Sequence, residues 1–186
     1  MPLYNFTLTL TGVSYTTPGL EDALYESGCH DALVCAYGQS VYLEFDRQAA
    51  SLDAAIDSAV SNIESAGLGA IVQSVDSAYV GLSDVAELTG LTRQGIALLK
   101  EGLRGGGDFP CPVHRIRGQS PSWDWSEVAN WLEQNGRLNE YPQLANNARI
   151  LSKWNLVLRN SLSGDASEVA ALSAELIRRR QQQKYA

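Results

Sequence analysis

The chain has 186 residues, of which 45% are hydrophobic and 19% charged, which suffices for one ordinary domain or two small ones and rules out a disordered polymer. The formal net charge of −7 rules out a protein coated uniformly in positive charge. No apolar run approaches the about 18 residues needed to span a bilayer.

The opening MPLYNFTLTL has no basic region ahead of its apolar run, so no secretory signal is expected. Three cysteines, Cys29, Cys35 and Cys111, are too few for a disulfide scaffold, and reduced thiols in a cytoplasm are the simple expectation. Charge is unevenly placed. Residues 1–80 hold ten Asp/Glu against the single Arg47, residues 81–136 come to −2, and residues 137–186 come to +4. An acidic front, a mixed middle and a basic end suggest separate tasks.

In the front unit, residues 4–10 alternate and carry aromatic and Thr side chains, as a strand does. Pro18 opens a helix with Leu20, Ala23 and Leu24 on its apolar side, and Gly28 ends it. DALVCAYGQSVYLEFD reads as two strands about a turn at Gly38–Gln39, with Val41, Leu43 and Phe45 on one face and Tyr42 and Glu44 on the other. Ser51 caps a second helix, in which Leu52, Ile56, Ala59, Val60 and Ile63 recur at helical spacing. Residues 70–76 make a fourth strand. The order strand–helix–strand–strand–helix–strand is that of a ferredoxin-like unit over residues 1–78, one face of its sheet covered by two helices. Cys29, His30, Asp31 and Cys35 are its only cluster of chemical interest. Three adjacent residues do not converge on one ion, so no metal site is expected there, and nothing fixes a thiol nucleophile with a base and an orienter.

The central segment LSDVAELTGLTRQGIALLKEG gives two short helices about a tight turn at Thr89–Gly90–Leu91. Ser83 is the expected cap of the first, with Val85 and Leu88 as its apolar side. Thr92 caps the second, with Ile96 and Leu99 facing inward. This is helix-turn-helix spacing, although two short helices also make an ordinary hairpin with a solvated Arg93. In the first form the second helix offers its N-terminal residues to a major groove: Arg93 for base edges, Gln94 for adenine, Thr92 as a cap whose amide meets phosphate. A glycine-rich link at Gly105–Gly107 follows, expected to be mobile, and it lacks the lysine of a nucleotide-binding loop. HRIRGQ reads as an arm of a small hairpin, with Arg115 and Arg117 on one side and Ile116 inward. Asp124 caps another helix, striped by Val128, Trp131 and Leu132.

LSDVAELTGLTRQGI, then GGDFPCPV, then SPSWDWSEVANWL resemble, in that order, the winged helix-turn-helix DNA-binding domains of the MerR superfamily, closest in style to AlpA/excisionase-like regulators. The resemblance covers about residues 81–135 of the domain expected at 81–136. It implies a recognition role for Arg93 and Gln94 and a wing role for Arg115 and Arg117, with Ser120 and Ser122 near phosphate. It implies packing roles for Phe109, Pro110, Pro112, Val113, Trp125, Val128, Trp131 and Leu132. Residues 91–120 carry Arg93, Lys100, Arg104, Arg115 and Arg117 against Glu101 and Asp108, a local +3 that suits a phosphate backbone. The expected DNA-contacting set is Thr92, Arg93, Gln94, Lys100, Arg104, Arg115, Arg117 and Ser120.

Residues 142–183 hold two amphipathic helices, one with Leu144, Ala148, Leu151, Trp154 (or Asn155) and Leu158, the other with Val169, Leu172 and Leu176. Their apolar stripes need a partner. The bulkier stripe, Leu151, Trp154 and Leu158, is the expected contact of a homodimer, with folding back onto the sheet as the rival. The QQQKYA end is expected to fray. The whole reads as an α+β chain: a sequence-specific regulator binding double-stranded DNA as a homodimer, without cofactor, metal, membrane or catalysis. The second reading is an adaptor or antitoxin-like protein whose acidic front grips a basic partner.

Overall fold

The computed structural model describes residues 1–184, and their arrangement follows from the alternation of the first strand. In β1 (Leu3–Thr11), Phe6, Leu8 and Leu10 are buried, while Leu3 and Asn5 are exposed and Thr7 and Thr9 half-buried. β3 (Ser40–Gln48) buries Val41, Leu43, Phe45 and Arg47 on the same side. The two strands pair antiparallel with Phe6 opposite Phe45 and Leu8 opposite Leu43, and the two phenyl rings stack with centroids 5.2 Å apart. β2 (Ala32–Tyr37) and β4 (Ile71–Val75) complete an antiparallel sheet of order β2-β3-β1-β4. Helices α1 (Leu20–Glu26) and α2 (Leu52–Glu64) bury Leu20, Leu24, Leu52, Ile56, Ala59 and Ile63 against its apolar face. Ser51 caps α2 as expected, its hydroxyl accepting the Ala54 N–H at 3.1 Å.

Arg47 is the residue this alternation could not prepare for. It occupies an inward position of β3 and is only 6% exposed. Its guanidinium donates to both carboxylate oxygens of Asp31 (2.8 and 2.7 Å), to Ser58 Oγ (3.1 Å), to Asn62 Oδ1 (2.9 Å) and to the Gly28 carbonyl (3.0 Å). It also lies 4.8 Å from the centroid of the Phe45 ring. Burying a charge is tolerable when it is paired and its donors are matched. The Asn62 amide in turn donates to the Ser27 carbonyl, and Gly28 has φ 103. A Cβ at Gly28 would sit 2.7 Å from Asn62 Nδ2, so both conformation and space require glycine there. Asp31 is therefore committed to an ion pair. Burial pushes the Cys29 thiol upward, against the smaller pull of Ser27 and Arg47, which makes it a poor nucleophile.

The second part of the chain has its own core. Helices α3 (Leu82–Thr89), α4 (Arg93–Lys100) and α5 (Trp125–Gln134) surround Val85, Ile96, Leu99, Phe109, Trp123, Trp125, Val128, Trp131 and Leu132. A two-stranded ladder of β5 (Tyr79–Val80) and β6 (Trp123–Asp124) joins the end of the front unit to the start of α5. Residues 79–80 fall between the two expected units, 1–78 and 81–136. They form a strand because Val80 pairs with the buried Trp123.

Helix α6 (Leu144–Ser161) belongs to both cores. Ala145 and Ala148 pack in the second, whereas Leu158, Ile150, Leu151 and Trp154 pack in the first. The Leu151–Trp154–Leu158 stripe is thus consumed within the chain, which overturns its expected role as a dimer contact. Asn155 Oδ1 accepts the Val75 N–H (3.1 Å) and its Nδ2 donates to the Val75 carbonyl (2.6 Å). β4 is an edge strand, so this amide satisfies backbone groups that would otherwise template a further strand. Asp53 accepts from Trp154 Nε1 at 3.0 Å and from Lys153. Helix α7 (Ala166–Gln183) ends where the expected 142–183 segment does and buries none of its residues. Of the QQQKYA end, only the last two residues lie outside the described chain. No described helix is long and apolar enough to cross a membrane.

Desolvation opposes the Asp31 charge, but hydrogen bonds and attraction from Arg47 outweigh it, so its carboxyl titrates below the ordinary range. A depressed carboxyl contributes stability above its unfolded pKa of about 3.9, and that contribution is lost as pH falls through the folded value. Asp31→Asn is expected to lower the urea midpoint at neutral pH and to flatten its decline below about pH 4; an acid limb identical to wild type would refute the assignment. Arg47→Met should cost about 3 kcal/mol, the low end for a pair that loses one member, because Asp31 keeps some water. Asn155→Ala should cost about 1–3 kcal/mol and speed hydrogen exchange at Val75, through the loss of its partner; unchanged exchange at that amide would argue against edge protection.

Candidate nucleic-acid interface

The turn between α3 and α4 is built from local hydrogen bonds. Asp84 accepts the Gly81 N–H at 2.7 Å and so secures the start of α3. The cap position is Gly81, and Ser83, the expected cap, lies exposed inside the helix. Leu88, expected on the apolar side, is 43% exposed, and Thr89 takes the buried position instead. Its hydroxyl donates back to the Val85 carbonyl at 2.6 Å and accepts the Leu91 N–H at 3.3 Å, which satisfies a polar group inside the core. Gly90 then turns the chain at φ 69, a left-handed conformation that disfavours any side chain. Thr92 Oγ1 accepts the Gly95 N–H at 3.0 Å and opens α4, as the sequence indicated.

α4 buries Ile96 and Leu99 and leaves Arg93 and Gln94 exposed in its first turn. Arg93 and Lys100, seven residues apart, share one edge of the helix about 10.5 Å apart along its axis. Lys100 lies 3.5 Å from Glu101, which offsets its charge. Leu103 and Arg104 both donate their N–H groups to the Leu98 carbonyl, at 3.0 and 3.2 Å. The chain leading into the Gly105–Gly107 link is thereby folded back on α4. A Cβ at Gly105 would touch Leu99 (3.5 Å) and Trp131 (3.6 Å), so this glycine lets the turn lie against the core.

The wing differs from its expected form. Val113 and His114 donate to the Ser122 carbonyl (2.9 and 3.2 Å), and Ser122 donates back to His114 (3.1 Å). One bridge therefore extends the β5–β6 ladder, and the Tyr79 and His114 rings meet edge to face at 4.4 Å. Residues 115–121 form an irregular tip in place of a strand arm. Arg115 has φ 53 and its carbonyl accepts the Gly118 N–H at 2.8 Å. Strand alternation does not apply there, so Ile116 is 67% exposed in place of pointing inward. Val113, expected to pack, is also exposed.

All eight expected contact residues are exposed. Thr92, Arg93 and Gln94 stand together at the α4 start, Lys100 and Arg104 follow its far end, and Arg115, Arg117 and Ser120 occupy the tip. The sequence reading missed Arg137. Its guanidinium lies beside the Gly105 turn, and its Nε is buried with no partner among the described residues. Its position just past Gly136, after α5, gave no signal of that placement. No protein-family model, curated protein or solved structure matches the chain.

The platform rests on its tryptophans. Trp123 Nε1 donates to the Pro110 carbonyl at 2.9 Å, and Trp131 meets the Phe109 ring edge-on at 5.2 Å with its own indole nitrogen unpaired. Trp131→Ala is expected to cost about 3–5 kcal/mol by leaving a cavity under the Gly105 turn. Trp131→Phe should cost clearly less, since no hydrogen bond is lost. Equal thermal shifts for the two variants would contradict this packing.

Proposed function

We propose that the protein is a sequence-specific regulator that binds double-stranded DNA through a winged helix-turn-helix unit at residues 81–136, preceded by a ferredoxin-like unit at 1–78 and followed by the helices of 142–183. The observation that carries the reading is the start of α4. There a side-chain cap fixes the first turn while Arg93 and Gln94 remain exposed and unpaired among the described residues. A guanidinium at that place suits the O6 and N7 of guanine, and Gln94 suits adenine. Arg115 and Arg117 on the bridged tip, with Ser120, suit phosphates on either side of the groove. The order of elements and the strand order β2-β3-β1-β4 support the ferredoxin-like reading of the front. On this reading the protein acts in the cytoplasm by binding alone, with no cofactor or metal, and a dimer matches symmetric half-sites.

Burial of Arg47 favours a second, compatible role. It removes the only Lys or Arg of residues 1–80 from the surface, which leaves a front unit with ten carboxylates and no exposed Lys or Arg of its own. Such a surface repels a duplex and suits a basic protein. On DNA it faces away.

Selection of duplexes from a random pool, followed by fluorescence anisotropy against salt, tests the reading. Arg93→Ala is expected to lose about 1–3 kcal/mol of discrimination at one base position. Arg117→Ala should weaken all duplexes alike and lower the salt slope by about one. Absence of any enriched sequence, with no salt-dependent binding, would overturn the DNA reading. Equal loss on selected and random duplexes for Arg93→Ala would make that residue a phosphate contact.

A further inference from the structure

We infer that α7 is the contact surface for a second copy of this chain, and that the two α7 helices lie antiparallel. The pairing goes beyond the DNA reading and stands whether or not α4 meets a duplex.

α7 is 18 residues long, and none of them is buried. α6 is the only element with which it makes more than passing contact. A helix of this length draws its stability in water mainly from the burial of an apolar face. The face exists: Val169, Leu172, Leu176 and Ile177 are 43%, 57%, 45% and 54% exposed. At about 100° per residue they fall within one arc of about 140°, with Ala166 and Ser173 between them. The Leu151–Trp154–Leu158 stripe of α6 is already covered, so this one is left without a partner among the described residues.

Charge selects the occupant. On the same arc, the stripe begins at Asp165 and ends at Arg180. The Asp165 side chain makes no cap hydrogen bond. Glu175 takes Arg178 at 2.7 Å and Arg179 at 2.8 Å, while neither Arg180 nor Asp165 has an ion-pair partner among the described residues. A two-fold axis between Leu172 and Ser173 sets Val169 opposite Leu176 of the second copy and Asp165 opposite its Arg180, and does both twice. Parallel packing would instead set Arg180 on Arg180 and Asp165 on Asp165. An isologous contact that matches each end with its opposite is the one this sequence can form with itself. One helix pair buries less than the about 1,200–2,000 Å² of a standard interface, so the association follows protein concentration.

Sedimentation velocity of the full chain over a micromolar concentration series, at low salt and without DNA, tests the pairing. Wild type is expected to pass from monomer to dimer. Leu172→Glu combined with Leu176→Glu should stay monomeric with the thermal unfolding of the two cores unchanged, since no core residue is touched. Asp165→Arg or Arg180→Asp alone turns two attractions into two repulsions and should weaken the dimer about tenfold. Together they should restore it. Both reversals place charge at the wrong end of the helix dipole, so their effects within a helix add while their effects across the pair cancel. Restoration therefore cannot come from helix stability. A wild type that stays monomeric throughout would give the face to another protein and overturn the proposal. So would a dimer that survives the double Glu variant, or a charge swap that does not rescue.

Discussion

A single buried guanidinium organises the front half of this protein. Arg47 enters the core from a strand position that should hold an apolar side chain. Taking it out of water is costly unless its donors are matched. Five hydrogen bonds match it, drawn from the α1–β2 turn and from α2. The strand, the turn and the helix are thus held to one another by a set of partners with little freedom to move. Gly28 must remain glycine to let that turn approach Asn62.

The same burial decides the electrostatics outside. With its one Lys or Arg inside, the front surface is acidic, and among the described residues every exposed Lys and Arg lies at Arg93 or beyond. On the proposed reading, a duplex is directed to the second core by repulsion from the first as well as by attraction to Arg93, Arg115 and Arg117. The packing of the core and the sign of the outer surface thus depend on one residue.

α6 sets the relation between the halves. Small side chains at its start fit under α5 in one core, and larger ones at its end fill the other. Asn155 closes the β4 edge, and Asp53 receives both Lys153 and Trp154, so the helix is latched by polar contacts as well as by packing. Covering that edge consumes the stripe that looked best suited to a second subunit. The exposed face is displaced one helix onward, to α7, where the apolar side chains are less bulky and, in the proposed pairing, the end charges carry more of the specificity.

Local rules were sufficient where a residue acts on its near neighbours. The alternation in β1 and β3, the hydroxyl or carboxylate caps at Ser51, Thr92 and Asp124, and the glycine turn at Gly90 were legible because each depends on periods or spacings within one element. Where the chain departs from regular structure, periodicity misled: Ile116 was assigned inward by strand alternation, but the tip closes in a turn at Arg115, where alternation has no meaning. Leu88 lost its inward place to Thr89 because that hydroxyl finds a carbonyl one turn back, so a polar side chain can be buried without a bare donor. By itself the sequence determined the order of the main elements, the faces of the main strands, the caps of α2, α4 and α5 and the division of charge, all of which are short-range or additive properties. Tertiary structure alone decided that Arg47 is buried, that Asn155 blocks a strand 80 residues away, that residues 79–80 pair with the Trp123 strand, and which C-terminal stripe is left uncovered. Each of these depends on which distant groups meet, and the energy of a charge, an edge or an apolar face is set by what covers it.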